Sequence, residues 1–160
     1  MYRVWYAVGK VEQSRSKTNA TFPLPDVRGC LRYAFTEVGE TEDAFLRMER
    51  ATDKRNNVKG GTIDDARREF GQAGYMLASA AIQMGDISGN YSFDSFVPSI
   101  YITSGIIGNM LQAHINVVDV VLALKSWVDF CDKQGWEPKG LIDETCKAFE
   151  DKHIPQNHPV

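Results

Sequence analysis

An all-α helical bundle is the fold class that three stretches of this sequence predict. Residues 26–51 and 62–85 each carry apolar side chains at helical spacing. The strongly apolar run 99–133 reads as one long helix or two broken ones, and residues 141–152 form a shorter amphipathic helix. A chain of 160 residues fits one domain with a sizeable core, and its 43% apolar content is that of a globular protein.

In chain order, residues 1–25 read as an N-terminal extension. Tyr2, Val4, Trp5 and Val8 form an apolar cluster, either a short helix or an edge strand, with Trp5 and Tyr6 as a packing lid. The stretch "EQSRSKTNA" is expected as a polar loop, and Pro23 and Pro25 stop any regular element. Asp26 is placed to cap a helix running to about Ala51. Its buried stripe is Val27, Leu31, Ala34, Val38, Phe45 and Met48, while Arg28, Arg32, Asp43 and Arg47 take the solvated face. After the polar loop 51–61, Thr62 and Asp65 make an approximate capping box for a second helix. The stripe there is Ile63, Ala66, Phe70, Ala73, Leu77, Ala81 and Met84, with Gly74 and Ala78 allowing close approach of another backbone.

Residues 86–98 are expected to be a loop with aromatic anchors. Gly105 and Gly108 are the candidate breaks in the following run, and residues 117–124 are apolar apart from Asp119, which implies burial in the monomer or in a subunit interface. Residues 133–140 make a turn, and residues 153–160 are expected to be a loose tail.

A net charge of −3 argues against a nucleic-acid surface, which needs clustered Lys and Arg. The three cysteines, with no CxxC spacing, are expected as free thiols in a reducing compartment. The N-terminus has no signal-peptide core, and no stretch approaches 18 uninterrupted apolar residues; the expectation is a soluble, cytoplasmic protein.

Chemistry concentrates in residues 31–85. Glu37 and Glu40 are spaced i, i+3 on the first major helix, and Glu69 and Gln72 repeat that spacing on the next. Such spacing puts two side chains about 60° apart on one side of a helix. Glu37 lies roughly 70° from the centre of its apolar stripe and Glu69 roughly 80° from the centre of its own, with the same sign. Two antiparallel helices so decorated bring their acids to a shared cleft. A half-buried carboxylate such as Glu37 needs a partner, because an unpaired buried charge costs several kcal/mol. A metal ion would supply one, and so would an arginine. Hard cations such as Mg²⁺ take oxygen ligands and leave positions for substrate phosphates.

The pattern is E-x-x-E, then 28 residues (41 to 68), then E-x-x-Q. With its flanks "EVGETEDAFLR", "DKRNN" and "EFGQAGYML" it resembles the all-α nucleotide pyrophosphohydrolases of the MazG-like superfamily. The resemblance covers about a third of the chain. It implies a single MazG-like helical domain completed as a homodimer or homotetramer. It also implies cleavage of a nucleoside triphosphate, NTP or dNTP, to monophosphate and pyrophosphate with Mg²⁺, or alternatively Mn²⁺. Glu37, Glu40 and Glu69 would hold the metal and act in catalysis, with Gln72 as fourth ligand. Lys54, Arg55, Asn56 and Asn57 would contact phosphates, sugar or base, or else form an ordinary solvated loop. Lys147 or Lys152 would reach a phosphate, or lie on a solvated face.

Gln72 departs from the family pattern, which carries Asp there. An amide oxygen ligates Mg²⁺ without charge, and Asp119 is either a substitute carboxylate or, the plainer reading, a buried Asp tied to an arginine or a backbone donor. The alternative reading is therefore a weakened or inactive MazG-like module that binds a nucleotide or a protein. A di-iron bundle would need two E-x-x-H motifs; Glu150 and His153 supply one, and the sequence has no second. A purely structural bundle, with the glutamates in ion pairs, is the plainest competitor.

Overall fold

The structure, a computed structural model, describes residues 1–51, 62–85, 87 and 89–154. Among these residues the chain forms six helices and no strands: α1 (Tyr2–Thr18), α2 (Val27–Ala51), α3 (Ile63–Gln83), α4 (Ile100–Gln112), α5 (Val117–Gln134) and α6 (Pro138–His153). No helix among them is long and apolar enough to cross a membrane.

The central element is α3. It packs against α1, α2, α5 and α6, and residues 73–81 are buried on every side. Small residues make that possible. A Cβ at Gly74 would enter the Trp127 ring of α5, and one at Gly71 would strike Leu141 and Thr145 of α6. The close approach expected at Gly74 thus admits an indole rather than a second backbone. Trp127 locks the contact by donating from Nε1 to the Phe70 carbonyl at 2.7 Å. Around it Phe70, Phe130, Trp136 and Phe45 complete an aromatic core. Each such ring contributes about 1.5–3 kcal/mol through burial.

The first helix departs most from the sequence reading. In place of a short element and a polar loop, α1 continues to Thr18. Val4, Ala7, Val8 and Val11 start a buried stripe that Ser14, Arg15 and Thr18 continue. The helical period persists after apolar character stops, so hydrophobicity alone loses it. Arg15 and Lys17 in the last turn also oppose the negative end of the helix dipole. Trp5 is partly buried and packs on Tyr91 at 5.9 Å between ring centroids, so the aromatic anchoring of the 86–98 loop is present.

Capping follows the sequence closely. Asp26 Oδ1 accepts from Gly29 N at 2.6 Å to start α2, and Thr62 with Asp65 forms a full capping box. Ile63, expected in the α3 stripe, is 43% exposed because it sits in the first turn, ahead of the packed region. The apolar run 99–133 does split into two helices, but at residues 113–116, where Asn116 caps α5. Gly105 and Gly108 stay inside α4. A single glycine costs a helix only about 1 kcal/mol, and Gly108 takes the Phe35 ring of α2 at 3.5 Å from where its Cβ would stand. Glu137 accepts from Lys139 N and Gly140 N, and Pro138 opens α6 three residues earlier than expected. The cysteines are free and buried.

Candidate metal centre

Helices α2 and α3 run antiparallel. At one end Gln83 of α3 donates to the Pro25 carbonyl at 2.6 Å and reaches Cys30 at 3.4 Å. Nearer the other end Glu37 and Glu40 of α2 face Glu69 of α3. One carboxylate oxygen from each lies within 4.8 Å of the others. These three are the only group of metal-ligating acids, histidines or thiols found among the described residues. The convergence expected from matched helical offsets is present.

Each side chain owes its place to the stripe beside it. Glu37 precedes the buried Val38 and lies between Ala34 and Thr41, so its carboxylate is half-buried, whereas Glu40 is exposed at the mouth. Thr41 spends its hydroxyl on the Glu37 carbonyl at 2.8 Å, leaving the Glu37 side chain without that donor. Glu37 Oε2 is buried and has no hydrogen-bond partner. Glu69 is partly buried, next to Phe70 in the core.

The electrostatics are those of crowded acids. Burial pushes the Glu37 carboxyl up to about 9, reinforced by its hydrogen bond with Glu69 and by the charge of Glu40. Glu40 is also raised, chiefly through its hydrogen bond with Glu69. Among the described residues the only cation near the cluster is Arg68. It stands 3.8 Å from Glu69 but is held closer, at 3.1 Å, by Asp65. Arg68 is also largely solvent-exposed, so that pairing is weak. Among the described residues the cluster is therefore not a set of arginine salt bridges. Three oxygen donors on two helices, with an orphaned buried oxygen and no well-paired cation among the described residues, are a donor set of the kind that suits a hard divalent ion.

The remaining candidates divide. Gln72 is partly buried on the wall of a cavity of about 450 Å³ between α3 and α6, with Arg67, Arg68, Glu144 and Lys152. Arg67 forms an ion pair with Glu144 across that cavity. Lys147 is exposed. Asp119, offered as a substitute carboxylate, instead exchanges hydrogen bonds with Asn116. Its N–H donates to Asn116 Oδ1 at 2.9 Å, and its carboxylate accepts from Asn116 Nδ2 at 2.8 Å. It belongs to the start of α5 and not to the acidic cluster. Lys54, Arg55, Asn56 and Asn57 lie outside the described residues.

The sequence reading missed the α3–α6 cavity. Arg67 and Arg68 line it from α3, and Glu144 faces them from α6. The only hint is that Asp64, Arg67, Arg68 and Gln72 recur on one helical face beside that of Glu69. Comparison with protein-family models, with curated proteins and with solved structures returned no match.

Proposed function

We propose that the protein is a Mg²⁺-dependent nucleoside triphosphate pyrophosphohydrolase of MazG-like type, cleaving an NTP or dNTP to the monophosphate and pyrophosphate. The observation that carries this reading is the meeting of Glu37, Glu40 and Glu69 with no neutralising cation among the described residues beyond the exposed Arg68. When bound, Mg²⁺ (or Mn²⁺) offsets polyphosphate charge and lowers the pKa of water, so that a nucleophile is available near neutral pH. Glu37, Glu40 and Glu69 would hold the ion. One of these glutamates, ionised beside the bound cation, would take a proton from the attacking water. Attack falls on the α-phosphorus and pyrophosphate leaves. Gln72 contributes a neutral amide oxygen at the edge of the α3–α6 cavity. The direct test is pyrophosphate release from a panel of NTPs and dNTPs with Mg²⁺. Turnover of at least one nucleotide, lost in Glu37→Ala, is expected; silence across the whole panel ends the proposal.

Gln72 favours a second reading, a weakened or inactive relative that binds a nucleotide or a protein through the same helices. Gln72→Asp separates the two. A silent wild type that gains Mg²⁺-dependent turnover on this substitution is a decayed enzyme, while an active wild type removes the second reading.

A homodimer or homotetramer belongs to the same proposal. Tyr33, Phe35, Tyr101 and Val118 expose between 44% and 70% of their surface on α2, α4 and α5, apolar area that a partner subunit would cover. Light scattering is expected to return a mass at least twice that of one chain; a monomer at micromolar concentration contradicts it.

A further inference from the structure

A second polar cluster lies away from the carboxylates, where α1, α3 and α6 meet. Arg15 of α1 is 6% exposed, and its Nε, Nη1 and Nη2 are all buried without a hydrogen-bond partner among the described residues. Beside it the hydroxyls of Ser14 (2% exposed) and Tyr75 (fully buried) are also unpartnered. The neighbours of Arg15 include two rings and the Tyr75 hydroxyl. Its Cζ lies 5.3 Å from the centroid of Phe22 and 5.5 Å from that of Tyr75.

A guanidinium stays charged at any pH a folded protein meets. Rings engage that charge but use none of the five N–H donors. Their attraction is also smaller than the cost of removing a lone cation from water. Of the four carboxylates of α6, Asp151 is exposed and the other three are committed elsewhere. Asp143 accepts from the Tyr6 hydroxyl, Glu144 pairs with Arg67, and Glu150 pairs with Lys17. A buried fork of N–H donors flanked by two hydroxyl donors is the donor set that binds an oxyanion bidentately.

We propose that Arg15, Ser14 and Tyr75 form an internal site for a small inorganic oxyanion of the phosphate or sulfate type. Arg15, Ser14 and Tyr75 expose only 6%, 2% and 0% of their surface, so the ligand proposed is a small ion and not a nucleotide or a peptide. The site is independent of the Glu37 cluster, which draws on α2 and α3 from different residues.

The test uses the full chain in EDTA at constant pH and ionic strength, with sodium phosphate replacing sodium chloride. Thermal unfolding and titration calorimetry are the readouts. A saturable rise in Tm and a calorimetric binding isotherm for phosphate are expected in the wild type. Tyr75→Phe keeps the ring packing and removes one donor, so phosphate affinity should fall by about tenfold or more. Arg15→Met should abolish the response, and Glu37→Gln should leave it unchanged. That last variant separates failure of this site from failure of the proposed activity. Absence of a saturable phosphate response in the wild type overturns the proposal, as does a response that Tyr75→Phe retains in full. Should Arg15→Met fail to fold, Tyr75→Phe alone decides the matter.

Discussion

Glu37→Gln is expected to make the metal-free protein more stable while removing its Mg²⁺ response and its activity. The two effects have one cause. Glu37 is held half-buried beside two other carboxylates, and its carboxyl is pushed from an ordinary value of 4.5 up to about 9. The folded state therefore binds this proton more tightly than the unfolded chain does. The stability it contributes is fully present below about pH 4.5. It drains away as pH rises toward 9, because the folded protein must then ionise a desolvated acid among like charges. Glutamine has the same shape and never ionises. Discounted for the solvent that reaches a half-exposed carboxylate, the gain at pH 8 is about 1–2 kcal/mol, or about 2–8 °C in a chain of this size.

Cation binding runs the other way. It needs the ionised carboxylate, so the Mg²⁺-induced rise in Tm of the wild type should grow between pH 6 and pH 9 and be absent in the variant. Activity should fall by at least about 10²-fold, the scale of one electrostatic group at a site of developing charge. Differential scanning calorimetry with and without Mg²⁺ across that pH range checks all three. A variant less stable than wild type at alkaline pH would mean that Glu37 is a satisfied structural residue and the cluster no metal centre.

The parts of this molecule legible from sequence are those where one local rule decides. Asp26, Thr62 and Asp65 start helices because a short polar side chain reaches a free backbone N–H, and this needs no tertiary knowledge. The meeting of Glu37, Glu40 and Glu69 was readable because both helices carry their acids at nearly the same angle from an apolar stripe that must face inward. Elsewhere tertiary context overrode the local signal. Arg15 sits in a polar string that reads as loop, yet it is among the more deeply buried charged residues because its neighbours are aromatic. Gly105 and Gly108 look like breaks, but the packing of α4 on α2 outweighs two weak helix formers. The chain turns instead at residues 113–116, where Asn116 can cap. Asp119 is open to two readings in the sequence, spare ligand or locally tied acid, and the cap three residues earlier decides for the second.

Trp127 and Gly74 are expected to be energetically inseparable, and a double-mutant cycle measures this. Taken alone, Gly74→Ala has two opposing consequences. Alanine in place of glycine favours a helix by about 1 kcal/mol. The added methyl, however, enters the Trp127 ring, which is fully buried and pinned by its bond to the Phe70 carbonyl. An indole so held cannot swing aside, and overpacking of this kind costs about 1–3 kcal/mol. The clash should win, giving net destabilisation. Trp127→Ala alone should cost about 3–5 kcal/mol, since it removes the largest fully buried side chain and leaves a void against α3. In the Trp127→Ala background the clash no longer exists and the alanine at 74 recovers its helical advantage, so Gly74→Ala turns from destabilising to stabilising. The coupling energy should reach about 1–3 kcal/mol. The contact also bears on the candidate site, because Phe70, whose carbonyl receives the indole N–H, adjoins Glu69. Loosening it should therefore weaken the Mg²⁺-induced shift in Tm even at temperatures where Trp127→Ala remains folded. Strict additivity of the two substitutions in urea denaturation would show that α3 shifts freely against α5, and that the glycine is not kept small by the indole.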